Sequence, residues 1–253
     1  MKNNPWITCR LFFVLLLCGK AAIGQQGQSE STEKIQTAWL EALKSSESLA
    51  SFYTEQSGIM LNDALHISAE EIRKQLSTFS KKVGLLKTYS QTEVFQLRDN
   101  QKFVTGTYET TNGKTLSSII GWKRNGTWTK AFEVIYEKTA CDHLGENSVN
   151  QARELWEKHS NAHRPDLIVK EVFSENGKYF NRGTLYHGAE ISGAYGYMND
   201  ESYTIKLESL HLSQVNCDMI YDIGTFEVGG KGLYTLIWQK KADTWKLLLD
   251  FNF

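Results

Sequence analysis

Residues 243–253, DTWKLLLDFNF, decide the fold, because a stretch of the same build, GTWTKAFEVIYEK, occupies residues 126–138. Each stretch has a polar turn, then Thr-Trp, then an alternating or continuous apolar run, which is the pattern of a buried strand. The same strand written twice at a wide separation predicts a domain that is present twice.

Other segments repeat in the same order. GTYETTNGK at 106–114 matches GTFEVGGKG at 224–232, and IIGWKRNGTW at 119–128 matches TLIWQKKADTW at 235–245. Six tryptophans form three pairs, each separated by about 117 residues: Trp39 with Trp156, Trp122 with Trp238, and Trp128 with Trp245. The two closing stretches match in their tryptophans and differ in their charges, so we expect specific function to lie in residues that do not repeat.

Within each copy the pattern predicts helices first and a sheet last. Apolar residues recur at helical spacing from about residue 31, a short helix is predicted over 47–55, and Ser68 and Gly84 are suitable caps for a third helix. Four segments of period two follow, separated by Asn-, Asp- or Gly-containing turns, which predicts an antiparallel sheet. In the second copy the third helix, 189–200, is expected to be short because Gly193 and Gly196 weaken it.

This order of elements, with its Gly-Thr-aromatic strand and Trp-turn-Trp hairpin, resembles the nuclear-transport-factor-2-like superfamily, in its SnoaL-like and ketosteroid-isomerase-like branch. The resemblance implies an α+β fold of two tandem cone-shaped domains, 31–138 and 147–253, each with N-terminal helices packed on a curved antiparallel sheet. It implies a pocket at the open end of the cone. Because members of the family often dimerise, we expect the two repeats to pack sheet to sheet as an internal pseudo-dimer.

Residues 1–24 are interpreted as a signal peptide. Lys2 and Arg10 precede or flank the apolar stretch LFFVLLLC, and Ala22 and Gly24 suit a cleavage site before Gln25. The apolar stretch is too short to span a bilayer, so we expect a secreted or periplasmic protein without a transmembrane segment in its mature form. Lipidation of Cys18 remains an alternative.

The mature chain would keep two cysteines, Cys141 and Cys217, which either pair in an oxidising compartment or remain separate thiols. Without residues 1–24 the chain has 25 basic and 29 acidic residues and no basic block, which argues against a nucleic-acid partner. No phosphate-binding loop or set of metal ligands is recognisable, so we expect neither a cofactor nor a metal.

Asp222 is the predicted catalytic base, because its strand neighbours are apolar and would raise the pKa of a carboxylate. The alternatives are a solvent-facing position or a salt bridge. His187 or a tyrosine is the predicted proton donor, and Tyr195, Tyr197 and Trp238 are predicted ligand contacts. For His187 and the two tyrosines the alternative is a role in the pocket rim or in packing. His159 and His163 lie four residues apart, and we interpret them as part of a solvated helix end. The matched tryptophans are expected to be core residues, and the alternative is that they form the aromatic lining of a ligand pocket.

Three functions remain open from the sequence. The first is an exported protein that binds a small apolar or amphipathic molecule without catalysis. The second is a cofactor-free isomerase or hydrolase whose site lies in the second repeat. The third is a structural or partner-binding module. A cavity that Asp222 and His187 both face would favour the second.

Overall fold

The computed structural model describes residues 31–45, 49–142 and 146–253, with Glu146 described by its backbone alone. The predicted signal peptide and Cys18 therefore lie outside the described residues. Two six-stranded sheets with helices make up the chain, so the expected α+β class and its duplication are confirmed. Among the described residues no helix is both long and apolar enough to cross a membrane.

The first repeat runs from a helix to a sheet. Its elements are α1 (Thr32–Ser45), a 3-10 turn (Ala50–Phe52), β1 (Tyr53–Leu61), β2 (Ala64–Ile67), α2 (Ala69–Val83), β3 (Leu86–Arg98), β4 (Gln101–Thr110), β5 (Thr115–Asn125) and β6 (Thr127–Glu137).

The second repeat follows the same order. Its elements are α3 (Glu146–Asn161), α4 (Pro165–Leu167), a π-helical turn (Ile168–Val172), β7 (Phe173–Asn181), β8 (Thr184–His187), α5 (Ala189–Ala194), a 3-10 turn (Gly196–Asn199), β9 (Lys206–Asn216), β10 (Met219–Glu227), β11 (Lys231–Lys241) and β12 (Thr244–Asn252).

The sheets have equivalent topologies, with strand orders β2-β1-β6-β5-β4-β3 and β8-β7-β12-β11-β10-β9. The last four strands of each repeat form the expected antiparallel meander. The sheets are mixed rather than wholly antiparallel, however, because β1 pairs parallel with β6 and β7 pairs parallel with β12. Four other strands and a helix lie between the two partners of each parallel pair, which provides the long connection that parallel pairing requires.

Local capping explains α2. The Ser68 hydroxyl accepts a hydrogen bond from the backbone of Glu71 at its start, and Gly84 ends it with a φ of 93°. Of the short helix predicted over 47–55, residues 47 and 48 lie outside the described residues. The rest of the prediction is wrong, because a 3-10 turn (Ala50–Phe52) is followed directly by β1 from Tyr53. Parallel pairing with β6 outweighs the local helical pattern there.

The second copy departs from the first in its helices. Pro165 occupies the first turn of α4, as expected from its missing N–H, and α5 is only six residues long. His159 and His163 do not form a solvated helix end. His159 is buried with Nε2 2.9 Å from Glu171 Oε2, whereas His163 lies beyond α3 with its Nδ1 2.7 Å from the Met198 carbonyl oxygen.

The two sheets face each other across an apolar interface, which gives the expected internal pseudo-dimer. One core cluster contains residues of both repeats, and Phe132 stacks on Phe251 with ring centroids 4.5 Å apart. Tyr221 donates a hydrogen bond to the Ser117 carbonyl at 3.3 Å across it. A disulfide joins Cys141, between the repeats, to Cys217 in the β9–β10 turn.

The other face of each sheet packs on the helices of its own repeat. All six paired tryptophans are buried there, none more than 7% exposed. Their expected role as core residues is therefore confirmed for the scaffold as a whole. Each repeat thus has its own core between sheet and helices, and any site inside a cone must be built from residues of that layer.

Candidate functional site

A cavity of about 520 Å³ lies in the second repeat between the helical layer and the inner face of the sheet. Trp156 of α3, Tyr203 ahead of β9, Phe226 of β10 and Leu236 of β11 provide apolar walls. Asp250 of β12 is the buried polar group of the lining. A mostly apolar cavity of this size with few polar groups is the usual form of a small-molecule site.

Asp250 reaches the cavity through an irregularity in β12. The register between β11 and β12 shifts where Ile237 pairs with Leu249 and Trp238 pairs with Leu247. The extra residue, Leu248, faces the sheet interface, so the positions after it exchange faces relative to those before it. Asp250, only 3% exposed, consequently points to the same side as Leu247 rather than to the interface.

The Asp250 carboxylate has an acid-base character suited to neutral pH. Burial raises its pKa to about 7, although the hydrogen bond that it accepts from the Tyr195 hydroxyl acts in the opposite direction. Within the described part of the chain, no Lys, Arg or His forms an ion pair with it. The group is therefore poised between its neutral and charged forms.

Four tyrosines surround this carboxylate. Tyr179 pairs with Asp250 across β7 and β12, and its ring lies 4.6 Å from that of Tyr195. Tyr197, which is 49% exposed, contacts Tyr195 and Tyr203 edge to face at the rim of the cavity. Burial raises the pKa of Tyr179, Tyr195 and Tyr203, so these phenols remain neutral hydrogen-bonding groups at physiological pH.

Trp156 contributes a polar atom without a partner. Its Nε1 is buried and makes no hydrogen bond in the described structure. The matching Trp39 Nε1 donates to the Tyr53 hydroxyl at 2.8 Å, but Phe173 stands at the equivalent sheet position in the second repeat and has no hydroxyl. An unpaired buried donor is costly, and here it marks a difference between the two repeats.

Two of the predicted ligand contacts lie at this site. Tyr197 lines the cavity, and Tyr195 donates to the carboxylate that faces it while remaining fully buried itself. Trp238 is also fully buried but does not line the cavity, and its Nε1 lies 3.2 Å from Asp222 Oδ2. Trp238 therefore packs in the core of the second repeat, next to the Asp222 carboxylate.

The predicted catalytic pair is not brought together. Asp222 is fully buried, forms an ion pair with Arg153 Nη1 at 2.7 Å, and accepts hydrogen bonds from Ser209, Tyr234 and Trp238. The salt-bridge alternative therefore describes it, not a carboxylate among apolar groups. His187 is exposed and lines a different, shallow cavity beside Glu175 and Lys178. The two side chains do not line a common cavity, because Asp222 lines neither the cavity at Asp250 nor the one at His187.

The first repeat fills the equivalent place with its own side chains. Glu133 pairs with Ile120 and Ile59 just as Asp250 pairs with Leu236 and Tyr179, so the two acids occupy the same sheet position. Glu133 Oε2 accepts from Lys130 Nζ at 2.8 Å.

The surroundings of this ion pair are closed. Tyr108 donates to the other oxygen of Glu133, and Trp39 covers the ammonium. All four residues, Trp39, Tyr108, Lys130 and Glu133, have an exposure of zero.

Asp250 was missed in the sequence although a signal was present. Both closing stretches carry a carboxylate five residues after the matched tryptophan, so the expectation that they differ in their charges is wrong at this position. The run Leu247–Leu249 hid it, because three consecutive leucines mask the change of face at a bulge. In the described residues no group of three or more His, Cys, Asp and Glu is placed to bind a metal.

No protein-family model matches the chain, and no curated protein is significantly similar to it. Solved structures are similar over part of it. An NTF-2 like protein of unknown function from Shewanella oneidensis MR-1 is 17% identical, covers 42% of this chain and 97% of its own, and gives a TM-score of 0.38.

Two proteins from Nostoc punctiforme PCC 73102 are similar to the same extent. A domain of unknown function with a cystatin-like fold is 16% identical over 42% of this chain and 74% of its own, with a TM-score of 0.37. A protein of unknown function with a cystatin-like fold is 10% identical over 45% and 92%, also with a TM-score of 0.37. At these identities and TM-scores the similarities are partial structural resemblances, and the duplication is shown by the chain's own strand order.

Proposed function

We propose that this chain is an exported small-molecule-binding protein whose ligand occupies the cavity of the second repeat. The observation that carries the proposal is the cavity of about 520 Å³ with a buried carboxylate, Asp250, that has no charged partner in the described structure. A buried ionisable group is normally paired, and an unpaired one in a cavity marks a place where a ligand completes the structure.

The ligand is mainly apolar with at least one polar group. Aromatic and aliphatic side chains form most of the walls, which favours burial of an apolar body. Asp250, with a pKa of about 7, can donate a hydrogen bond when protonated and accept one when ionised. Ser202 and Asn252 are further polar side chains in the lining of the same cavity.

The first repeat supports the scaffold rather than a second site. Its cone is filled by the buried Lys130–Glu133 pair, and its sheet contributes Phe132 to the interface with the second repeat. A purely structural role therefore suits the first repeat, whereas it leaves the cavity and the unpaired acid of the second unexplained.

Export to a secreted or periplasmic location is part of the proposal. It is supported by the predicted signal peptide and by the Cys141–Cys217 disulfide, since such bonds form and persist in oxidising compartments. Cleavage before Gln25 in material secreted by the native host, measured by intact mass and N-terminal sequencing, tests this part. Recovery of the uncleaved chain from the cytoplasm contradicts it.

Binding is tested with N-phenyl-1-naphthylamine, an uncharged dye whose fluorescence increases in apolar cavities. The wild-type protein is expected to bind it, and Val228→Trp is expected to reduce binding about tenfold or more, because Val228 lines the cavity. Val94→Trp is the matched control, since Val94 is an exposed valine on β3 of the first repeat. Equal binding by both variants, or no binding by the wild type, contradicts the proposal.

A second candidate function is proton transfer to or from the bound molecule. It is favoured by one observation, the combination of a carboxylate of pKa about 7 with the Tyr195 hydroxyl as a hydrogen-bond donor. General acids and bases work best when their pKa lies near the operating pH. Here the base would be Asp250 and not Asp222.

This candidate is tested by deuterium exchange at the carbons next to the carbonyl of cyclic ketones in D2O, followed by NMR. We expect wild-type protein to accelerate exchange and Asp250→Asn to lose the acceleration. Exchange at the rate of the buffer in both proteins contradicts it and leaves the binding proposal standing.

A further inference from the structure

The first repeat already contains an ammonium group bound inside its cone. Lys130 Nζ lies 2.8 Å from Glu133 Oε2 and 3.4 Å from the centroid of the Trp39 ring, with the Trp122 ring 5.9 Å away. A cation over an indole face, paired with a carboxylate and shielded from water, is a favourable arrangement for a buried ammonium. The chain thus shows how this cone accommodates a positive charge.

The second repeat keeps the acceptor and the ring but lacks the cation. Asp250 stands at the sheet position of Glu133, and Trp156 is the repeat partner of Trp39; both line the cavity. Leu247 stands at the position of Lys130, since Leu247 pairs with Phe173 as Lys130 pairs with Tyr53. Leucine at this position leaves the second cone without the internal ammonium that the first cone carries.

In the described part of the second repeat, no cationic side chain takes the place that Lys130 Nζ has in the first repeat. Arg153 is the cation of that cone, and it is committed to Asp222 and to Asn150. Among the described residues that line the cavity, none is Lys, Arg or His. Asp200 at the rim adds a second carboxylate, whose pKa is lowered by hydrogen bonds from Ser202, so it is ionised at neutral pH. The potential in the cavity therefore favours a cation over an anion.

We propose that the cavity of the second repeat takes a small organic cation, a protonated or quaternary amine on an apolar body, with its charge against Asp250 and Trp156. The inference rests on the proposed binding function and names the class of ligand for that site. The apolar body would lie against walls such as Phe226 and Leu236, and the charge would take the place that Lys130 Nζ occupies in the first repeat.

Binding of a cation is linked to protonation of Asp250. Because this carboxyl has a pKa of about 7, binding to its ionised form becomes about tenfold tighter from pH 6 to pH 8. Other groups face Asp250 without titrating in this range. Tyr179, Tyr195, Tyr197 and Tyr203 have raised pKa values, and Asp200 has a lowered one.

Three further charged groups lie near the site. The Arg153–Asp222 pair lies on the same sheet face, beyond Leu236. His163 interacts with Asp200 at the rim, so the pH profile is repeated in His163→Gln.

The test uses the whole chain and displacement of N-phenyl-1-naphthylamine by two molecules of the same shape. Benzyltrimethylammonium carries a permanent charge that does not titrate, and neopentylbenzene is its uncharged counterpart. Asp250→Asn is expected to weaken binding of the cation about tenfold or more and to change binding of neopentylbenzene less than about twofold. Asp99→Asn, which removes a carboxylate from an exposed turn of the first repeat, is the matched control.

Each outcome is decisive. Selective loss of cation binding in Asp250→Asn, together with tighter binding at pH 8, supports the inference. If Asp250→Asn weakens both molecules equally or neither, or if phenylacetate displaces the dye better than the cation, the inference is overturned while the binding function stands. If the dye itself does not bind, the proposed function fails, and this inference fails with it.

Discussion

The two repeats differ most where they are aligned best, at the carboxylate of the last strand. Glu133 in the first repeat is paired with Lys130 and fully enclosed, whereas Asp250 in the second has Leu247 in place of that lysine and faces a cavity. The lysine is one difference between the two cones, and the shorter third helix of the second repeat is another. The comparison shows how duplication can keep one copy as scaffold and leave the other free to hold a ligand.

Removal of the Lys130 ammonium from the first repeat has the largest expected effect on stability. Lys130→Leu copies the second repeat but leaves Glu133 buried without its cation, which is expected to lower the free energy of unfolding by about 3–5 kcal/mol. Urea denaturation followed by circular dichroism measures it. The double variant Lys130→Leu/Glu133→Leu should recover most of the loss. A cost below about 1 kcal/mol for the single variant would show that the pair does not hold this cone together.

The pH dependence of the free energy of unfolding tests the carboxylate of the second repeat. Asp250 has a folded pKa of about 7, above its unfolded value of about 4, so the unfolded chain ionises first as the pH rises. Its contribution to stability is full below about pH 4 and is lost by about pH 7, which amounts to about 2–4 kcal/mol.

Denaturation of wild type and Asp250→Asn at pH 4 to 7 measures this difference. The variant is expected to lack this part of the decline with pH, and Asp99→Asn is expected to keep it. If the profiles of wild type and Asp250→Asn are parallel, the carboxyl is not the unpaired group described here.

The hydrogen bond from Tyr195 gives the smallest effect. Tyr195→Phe removes the donor that stabilises the ionised form of Asp250, so the pKa of that carboxyl is expected to rise further. The expected loss of stability is about 1–2 kcal/mol. NMR titration of the Asp250 carboxyl carbon reads the pKa directly, and an unchanged or lower pKa would show that the bond does not tune this acid.

Much of the fold was predictable because its signals are local or repeated. Three tryptophan pairs indicated the duplication, and Ser68 and Gly84 marked both ends of α2. The parallel pairing of β1 with β6 could not be read in the same way, because it joins segments far apart and competes with a local helical pattern.

The candidate site was predictable only in part. Tyr195 and Tyr197 were found because they lie in or beside an irregular helix. The structure places Tyr195 next to Asp250 and Tyr197 at the rim of the cavity. Asp222 looked exceptional in its strand because its partner, Arg153, is supplied by α3, which strand periodicity cannot show. Asp250 was hidden by a bulge, whose position depends on pairing with β11.

The most direct measurement of the central claim is dye and cation binding by Leu247→Lys. This substitution places in the second repeat the ammonium that the first repeat carries at the same sheet position. With circular dichroism confirming a folded chain, we predict that binding of benzyltrimethylammonium falls about tenfold or more and that binding of N-phenyl-1-naphthylamine falls with it. A folded Leu247→Lys protein that binds both as tightly as wild type would contradict the account.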